Sequence, residues 1–403
     1  MALQLILGNS GAGKSYYIIQ KIIKASMEHP EKQYLIIVPE QFTMQTQKDL
    51  VMMHPRRGIM NIDVLSFERL AHRVFHEVGG EHRKILEDTG KNLILRRLAE
   101  EKKEELTLLG KNLKRLGYIS EIKSLISEFT QYRITKEQLS ALIEQNQKNP
   151  QLQFKLKDLK LIYESFQEYL KDTYLTAEEL LGALSESVEE SAAIKDSVIV
   201  LDGYTGFTPV QLGLLRKLLI LSEEIYVTLT LDEREEPFEM GAEYQLFYMT
   251  KKTIAGLRKL CEEVQVPVRR PLIVKAGEKS RFQSAVALRF LEGNIFRHGK
   301  DFWGDKTKEL ALVAARTPRA EAAYIGREIQ RLIRDEKLRY RDIAVVTGNL
   351  DIYGTLLEQV FTRLLIPGFI DRKKDVLKNP FVEFLRALLA VIQEDFTYEA
   401  MFR

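Results

Sequence analysis

Eight residues near the amino terminus constrain this chain more than any others. Gly8-Asn9-Ser10-Gly11-Ala12-Gly13-Lys14-Ser15 satisfies G-x-x-x-x-G-K-[ST] in full, between an apolar run at residues 3–7 and a helical pattern beginning near Tyr16. A buried strand that breaks into a glycine loop and resumes as a helix commits the chain to a parallel sheet with crossover helices. The glycines let backbone N–H groups curl round a phosphate with no Cβ in the way, and the helix N-terminus adds partial positive charge. In this pattern Lys14 reaches the β- and γ-phosphates of ATP and Ser15 ligates Mg²⁺.

Further strand-length apolar runs occur at residues 34–38, 62–65, 198–201, 225–231, 310–313 and 343–346, separated by helical stretches. The predicted fold class is α/β with a RecA-like parallel sheet. Residues 1–84 and 192–274 form the first unit, and residues 275–307 a connector. Residues 308–403 open a second RecA-like unit, whose first helix is capped by Thr317 and Pro318. Residues 85–191 have no strand-like run. Ile122, Leu125, Ile126 and Phe129 share one helix face there, and Leu159, Ile162, Tyr163 and Phe166 another, so an all-helical insertion is expected.

With 403 residues, two or three structural units are expected rather than one core. The formal net charge of +3 is too small to imply nucleic-acid binding, so any DNA affinity has to come from local patches. The single cysteine, Cys261, permits neither an internal disulfide nor a multi-cysteine metal cluster, and a reducing cytoplasm is the expected setting. No apolar run approaches the ~20 residues of a membrane helix. No cleavable leader is expected, because trimming would remove the strand ahead of Gly8.

A P-loop enzyme needs an acid on a neighbouring strand to hold Mg²⁺ through water, and helicases follow it with a glutamate that activates the attacking water. Asp202 ends the run Val198-Ile199-Val200-Leu201 and fits the first role, but Gly203 follows it where the glutamate would stand. Nucleotide binding with weak or absent hydrolysis is the reading. An autonomous P-loop ATPase, either a helicase motor or a small kinase, and a structural protein with vestigial nucleotide binding remain open.

Several strings carry a family resemblance: Ile36-Ile37-Val38-Pro39-Glu40-Gln41-Phe42-Thr43, Leu65-Ser66-Phe67-Glu68-Arg69-Leu70-Ala71, Leu201-Asp202-Gly203-Tyr204-Thr205-Gly206-Phe207-Thr208-Pro209 and Ile366-Pro367-Gly368-Phe369-Ile370-Asp371. In this order behind an N-terminal phosphate loop, they resemble the AddB family, the partners of AddA in bacterial helicase-nucleases. The resemblance implies a superfamily 1 helicase fold whose motor has decayed, binding ATP and Mg²⁺ and working as a heterodimer with AddA on double- and single-stranded DNA. It further implies that the helicase-like part scans the 3′ strand for the Chi sequence during break repair by recombination. Gln41, Phe42, Thr43, Phe67, Arg69, His72 and Phe207 would line that groove. Aromatics offer stacking platforms, arginine contacts phosphate or base edges, and Gln and Thr can read a base. The family's nuclease domain, with its metal and 4Fe-4S cluster, is expected only beyond these residues. The chain, stopping within a helical pattern at Tyr398-Glu399-Ala400-Met401-Phe402-Arg403, is expected to be the front portion of a longer protein.

Three other patterns carry less. The string from Gly368 to Asp375 echoes an acidic nuclease motif, but its carboxylates are one position too far apart. His72 and His76 have zinc-protease spacing, yet Arg73 occupies the place of the general-base glutamate. Arg56-Arg57, Arg96-Arg97 and Arg269-Arg270 could track a phosphate backbone or simply be solvated faces.

Overall fold

Side chains along a strand point alternately to opposite faces, and here both faces are apolar. Leu3, Leu5 and Leu7 face one layer while Ile6 faces the other, and Leu35 and Ile37 are set against Tyr34 and Ile36 in the same way. A sheet buried on both faces has to be covered by helices on both, which favours parallel strands. The computed structural model describes residues 1–79, 83–110, 117–275, 280–297, 299, 301–372 and 376–402, and it divides into units at residues 1–309 and 310–403.

In the first unit the chain runs β1 (Leu3–Gly8), α1 (Lys14–Glu28), β2 (Tyr34–Ile37), α2 (Thr43–Met53), β3 (Ile62–Leu65) and α3 (Phe67–Val78). It continues through β4 (Lys84–Leu86), α4 (Asp88–Glu101), α5 (Tyr118–Gln131), α6 (Lys136–Gln145), α7 (Pro150–Leu170), β5 (Tyr174–Thr176) and α8 (Ala177–Ser187). β6 (Val198–Leu201), α9 (Pro209–Leu221), β7 (Glu224–Thr230), α10 (Tyr248–Glu263), β8 (Leu272–Ile273) and α11 (Val286–Asn294) complete it. Six strands make one sheet in the order β3-β2-β6-β7-β1-β8, with every pairing parallel. This is the α/β, RecA-like arrangement expected from the sequence.

Helices α1 and α2 cover one face through Ile18, Ile19, Ile22, Ile23 and Leu50. Helices α3, α8, α9 and α10 cover the other through residues such as Leu70, Val74, Leu184, Leu214 and Leu257. Cys261 is buried in this second layer, and burial pushes its thiol pKa up to about 11, so it packs as a small apolar side chain.

The stretch expected to be wholly helical contains one short parallel pair, β4 with β5, which is a correction. Three-residue strands are too short to display a period, and Thr176 ends β5 while its hydroxyl also caps α8. Helices α4 to α7 have their own core around Leu95, Ile122, Leu159 and Phe166, whereas α8 joins the layer over the main sheet. Glu77 ties the chain's departure to its return, accepting from Ser191 Oγ at 2.6 Å and from the amides of Ala192 and Ala193 at 2.7 and 3.1 Å. Burial works to raise its pKa, but these donors outweigh it and hold the carboxyl below its ordinary value.

The second unit contains α12 (Pro318–Asp335), α13 (Leu350–Arg363), α14 (Pro380–Gln393) and α15 (Tyr398–Met401). Thr317 caps α12 as expected, accepting from the Ala320 amide at 3.1 Å. Helices α12 and α13 pack through Ala322, Leu357 and Val360, and a Cβ on Gly326 would fall 2.4 Å from Val360 Cγ1, so the two backbones approach through that glycine. The runs at 310–313 and 343–346, expected to be strands of a second sheet, form none among the described residues. Leu312 and Val346 are fully exposed, because β propensity makes a strand only where a neighbour completes the ladder.

Candidate functional site

The sheet's order sets the site, because parallel strands present all their carboxyl ends along one edge. At that edge β1 ends on Gly8, and the loop passes through Gly11 (φ 75°) and Gly13 (φ 98°) before α1 begins at Lys14. Both angles lie in the left-handed region that suits glycine. Gly8 is required for a different reason, since a Cβ there would sit 2.5 Å from the carbonyl oxygen of Val274 just beyond β8. Lys14 lies back across the loop, Nζ donating to the Gly8 and Asn9 carbonyls at 2.9 and 3.0 Å. Burial lowers its pKa, opposed by the charges of Asp202 and Glu292 and reinforced by Arg281.

Asp202 follows β6 and is nearly buried, its amide donating to the Ile37 carbonyl of β2 at 3.1 Å. Its Oδ1 accepts from Ser15 Oγ at 3.1 Å and also from the Thr228 hydroxyl. The loop and the acid nominated from sequence therefore meet, with Thr228 of the intervening β7 between them. They border a cleft of about 410 Å³ in which Asp202 is the only carboxylate among the described lining residues. Gly203 (φ 81°) leads the chain away from it. The donors present suit a hard cation and a polyphosphate: paired hydroxyl and carboxylate oxygens, a lysine, and a glycine-lined loop at a helix N-terminus. Sequence reading missed Thr228 and Arg281, which also line the cleft. A hydroxyl interrupting the apolar β7 was a usable signal for the first, whereas Arg281 fell in the presumed connector.

The residues assigned to a single-strand groove follow β2, β3 and β6, which are neighbours in the sheet. Gln41 and Phe42 stand exposed on a 3₁₀ turn (Glu40–Phe42), and Arg69 and His72 are exposed on α3. Arg69 Nε donates to Glu40 Oε1 at 3.1 Å. Two of the nominated residues are not at the surface. Thr43 is buried with its hydroxyl donating to the Glu40 carbonyl at 2.9 Å, and Phe67 is buried in the core beneath Tyr204. Phe207 is half-buried. Tyr204, unnamed by sequence reading, joins the aromatics: its ring centroid lies 5.4 Å from those of both Phe67 and Phe207. Burial, then the Glu40 charge, raises the Tyr204 pKa and keeps its hydroxyl neutral. Phe42 reaches the same group, its ring edge 3.7 Å from where a Cβ on Gly203 would stand.

The weaker patterns take ordinary places. His76 is exposed on α3, and Asp375, needed for the acidic motif, lies outside the described residues. Arg97 pairs with Glu101 at 2.8 Å and Arg269 with Glu224, as solvated faces do. No helix among the described residues is long and apolar enough to cross a membrane.

Residues 5–292 match the family described as ADDB, N-terminal. The AddB-type subunit of the ATP-dependent helicase/deoxyribonuclease from Lachnoclostridium phytofermentans is 43% identical over 406 residues, an alignment covering 100% of this chain and 35% of that protein. The proteins of the same name from Caldanaerobacter subterraneus subsp. tengcongensis and Thermoanaerobacter sp. are 36% and 35% identical, again over 100% of this chain and 34% and 35% of theirs. The chain thus spans about a third of the length of the curated relatives it matches. Full-length coverage at such identity, with the phosphate loop, Asp202 and the aromatic group on one sheet edge, places the chain in the AddB family, in the region that family's N-terminal description covers.

Proposed function

We propose that this chain is the helicase-like, non-motor part of an AddAB helicase-nuclease, holding Mg·ATP in the Gly8–Ser15 loop and reading a single DNA strand over the neighbouring aromatic group. The names of its relatives support a role in DNA break processing, with AddA as the partner protein. One observation carries the nucleotide reading: Lys14, Ser15 and Asp202 converge on a cleft in which Asp202 is the only carboxylate among the described lining residues. Lys14 would exchange its two loop carbonyls for phosphate oxygens, and Ser15 and Asp202 would turn their shared hydrogen bond toward the cation. Bound Mg²⁺ supplies charge neutralisation of the phosphates. With no second acid to take a proton from water, the residues present bind and orient rather than hydrolyse.

Isothermal titration is expected to register Mg·ATP binding while steady-state phosphate release stays at background. Brisk turnover by the isolated chain would favour the autonomous ATPase instead.

The strand-reading proposal rests on Phe42, Tyr204 and Phe207 forming one aromatic group flanked by the exposed Gln41, Arg69 and His72. Stacking contributes about 1–3 kcal/mol per base. Phe207→Ala or Arg69→Ala should therefore weaken capture of the recognised single strand, the Chi sequence, about tenfold more than capture of a scrambled strand. Equal losses on both strands would leave backbone binding without readout.

A further inference from the structure

The outer wall of the phosphate loop comes from a segment far away in sequence. The Arg281 amide donates to the Gly11 carbonyl at 2.9 Å, fixing residues 280–285 against the loop. A Cβ on Gly11 would meet Arg281 Cβ at 3.0 Å and the Phe282 ring at 3.1 Å, so the two backbones touch with no side chain between them. The Arg281 side chain is exposed and lines the same cleft as Lys14, Ser15 and Asp202. No carboxylate pairs with its guanidinium among the described residues, and its charge adds to that of Lys14. Two cations facing one cleft against a single lining carboxylate leave a positive excess that only an anion can relieve.

We infer that Arg281 is a phosphate-binding residue of this site, a guanidinium that contacts the terminal phosphate of a nucleoside triphosphate and makes the site prefer triphosphate over diphosphate. The inference rests on the nucleotide reading above. The end of the chain contacted follows from the loop's direction. In G-x-x-x-x-G-K-[ST] loops the lysine reaches the β- and γ-phosphates, and the amides at the start of the helix hold the phosphates nearer the sugar. Gly11 precedes Lys14, so a side chain anchored at Gly11 sits at the terminal-phosphate end. An arginine there offers a planar fork matched to two phosphate oxygens, which a lysine cannot reproduce.

The test is titration of the 403-residue chain with Mg·ATP and Mg·ADP, comparing wild type with Arg281→Ala, Arg281→Lys and Lys14→Ala. Loss of one charge-assisted phosphate contact should weaken ATP about tenfold or more in Arg281→Ala, and ADP less than about threefold, with Arg281→Lys in between. Lys14→Ala should lose both nucleotides. Arg281→Ala with unchanged ATP affinity, or with equal losses for ATP and ADP, overturns the assignment while Lys14→Ala still reports on the loop. Wild-type protein that binds neither nucleotide sinks the loop reading and this inference together. Because the Arg281 side chain is exposed, its variants should unfold at the wild-type temperature without nucleotide. If Arg281→Ala nevertheless melts early, Arg281→Gln decides by the same ratio.

Discussion

Lys14→Ala is expected to lower Mg·ATP affinity by roughly 100-fold or more, since two charge-assisted contacts of about 1.5–3 kcal/mol each disappear with the ammonium. The free protein should suffer little. In it Lys14 Nζ is held only by the Gly8 and Asn9 carbonyls at 2.9 and 3.0 Å, and both oxygens border an open cleft where water can replace it. The backbone curl persists without Lys14, because it is set by Gly11 and Gly13 and by the Ala12 amide donating to the Asn9 carbonyl at 3.1 Å. Calorimetric titration beside a thermal melt separates the two effects. Affinity lost with an unchanged melt assigns Lys14 to ligand binding, whereas undiminished affinity would remove the loop from the account.

Asp158→Ala should cost the helical unit about 3 kcal/mol, because it strands several polar donors at once. Asp158 lies on α7, and its Oδ1 accepts from the amide and hydroxyl of Thr107, both at 3.0 Å. Its Oδ2 accepts from the amides of Leu108 and Leu109 at 2.7 and 2.9 Å. Without it, the segment that inserts Leu106 and Leu109 into the core with Leu159 and Phe166 has nothing of equal strength holding it. A chain with several cores does not unfold in one step, so the check is local. Amide hydrogen exchange should accelerate across α4 to α7 and stay unchanged in β1, β6 and β7. Asp158→Asn, which keeps one acceptor oxygen, should fall between. Uniform acceleration throughout the first unit would mean that the helical unit has no independent stability.

The legible parts of this molecule were those in which one local pattern decides the outcome. Alternating burial in Leu3 to Leu7 and in Val198 to Leu201 announces strands, the glycine loop announces the turn between β1 and α1, and an acid ending a strand announces Asp202. What escaped was convergence. Thr228, Tyr204 and Arg281 reach the site from β7, from the loop after β6 and from a segment near α11, and nothing in their immediate sequence says where they point. Thr43 and Phe67 illustrate the converse: residue type suggested a binding surface, while the threonine hydroxyl closes a turn and the phenylalanine fills the core. The apolar runs at 310–313 and 343–346 carry strand propensity that no described neighbour completes.

Asp202 and Tyr204 are next-but-one neighbours, joined by Gly203 alone. The carboxylate bonds to Ser15, and the phenol ring rests between Phe67 and Phe207. A pull on the carboxylate is therefore passed to the ring through a single intervening residue, unless that glycine swivels to absorb it. Traffic between the two ends of this edge needs no relay of helices; one joint serves as hinge when loose and as pushrod when stiff.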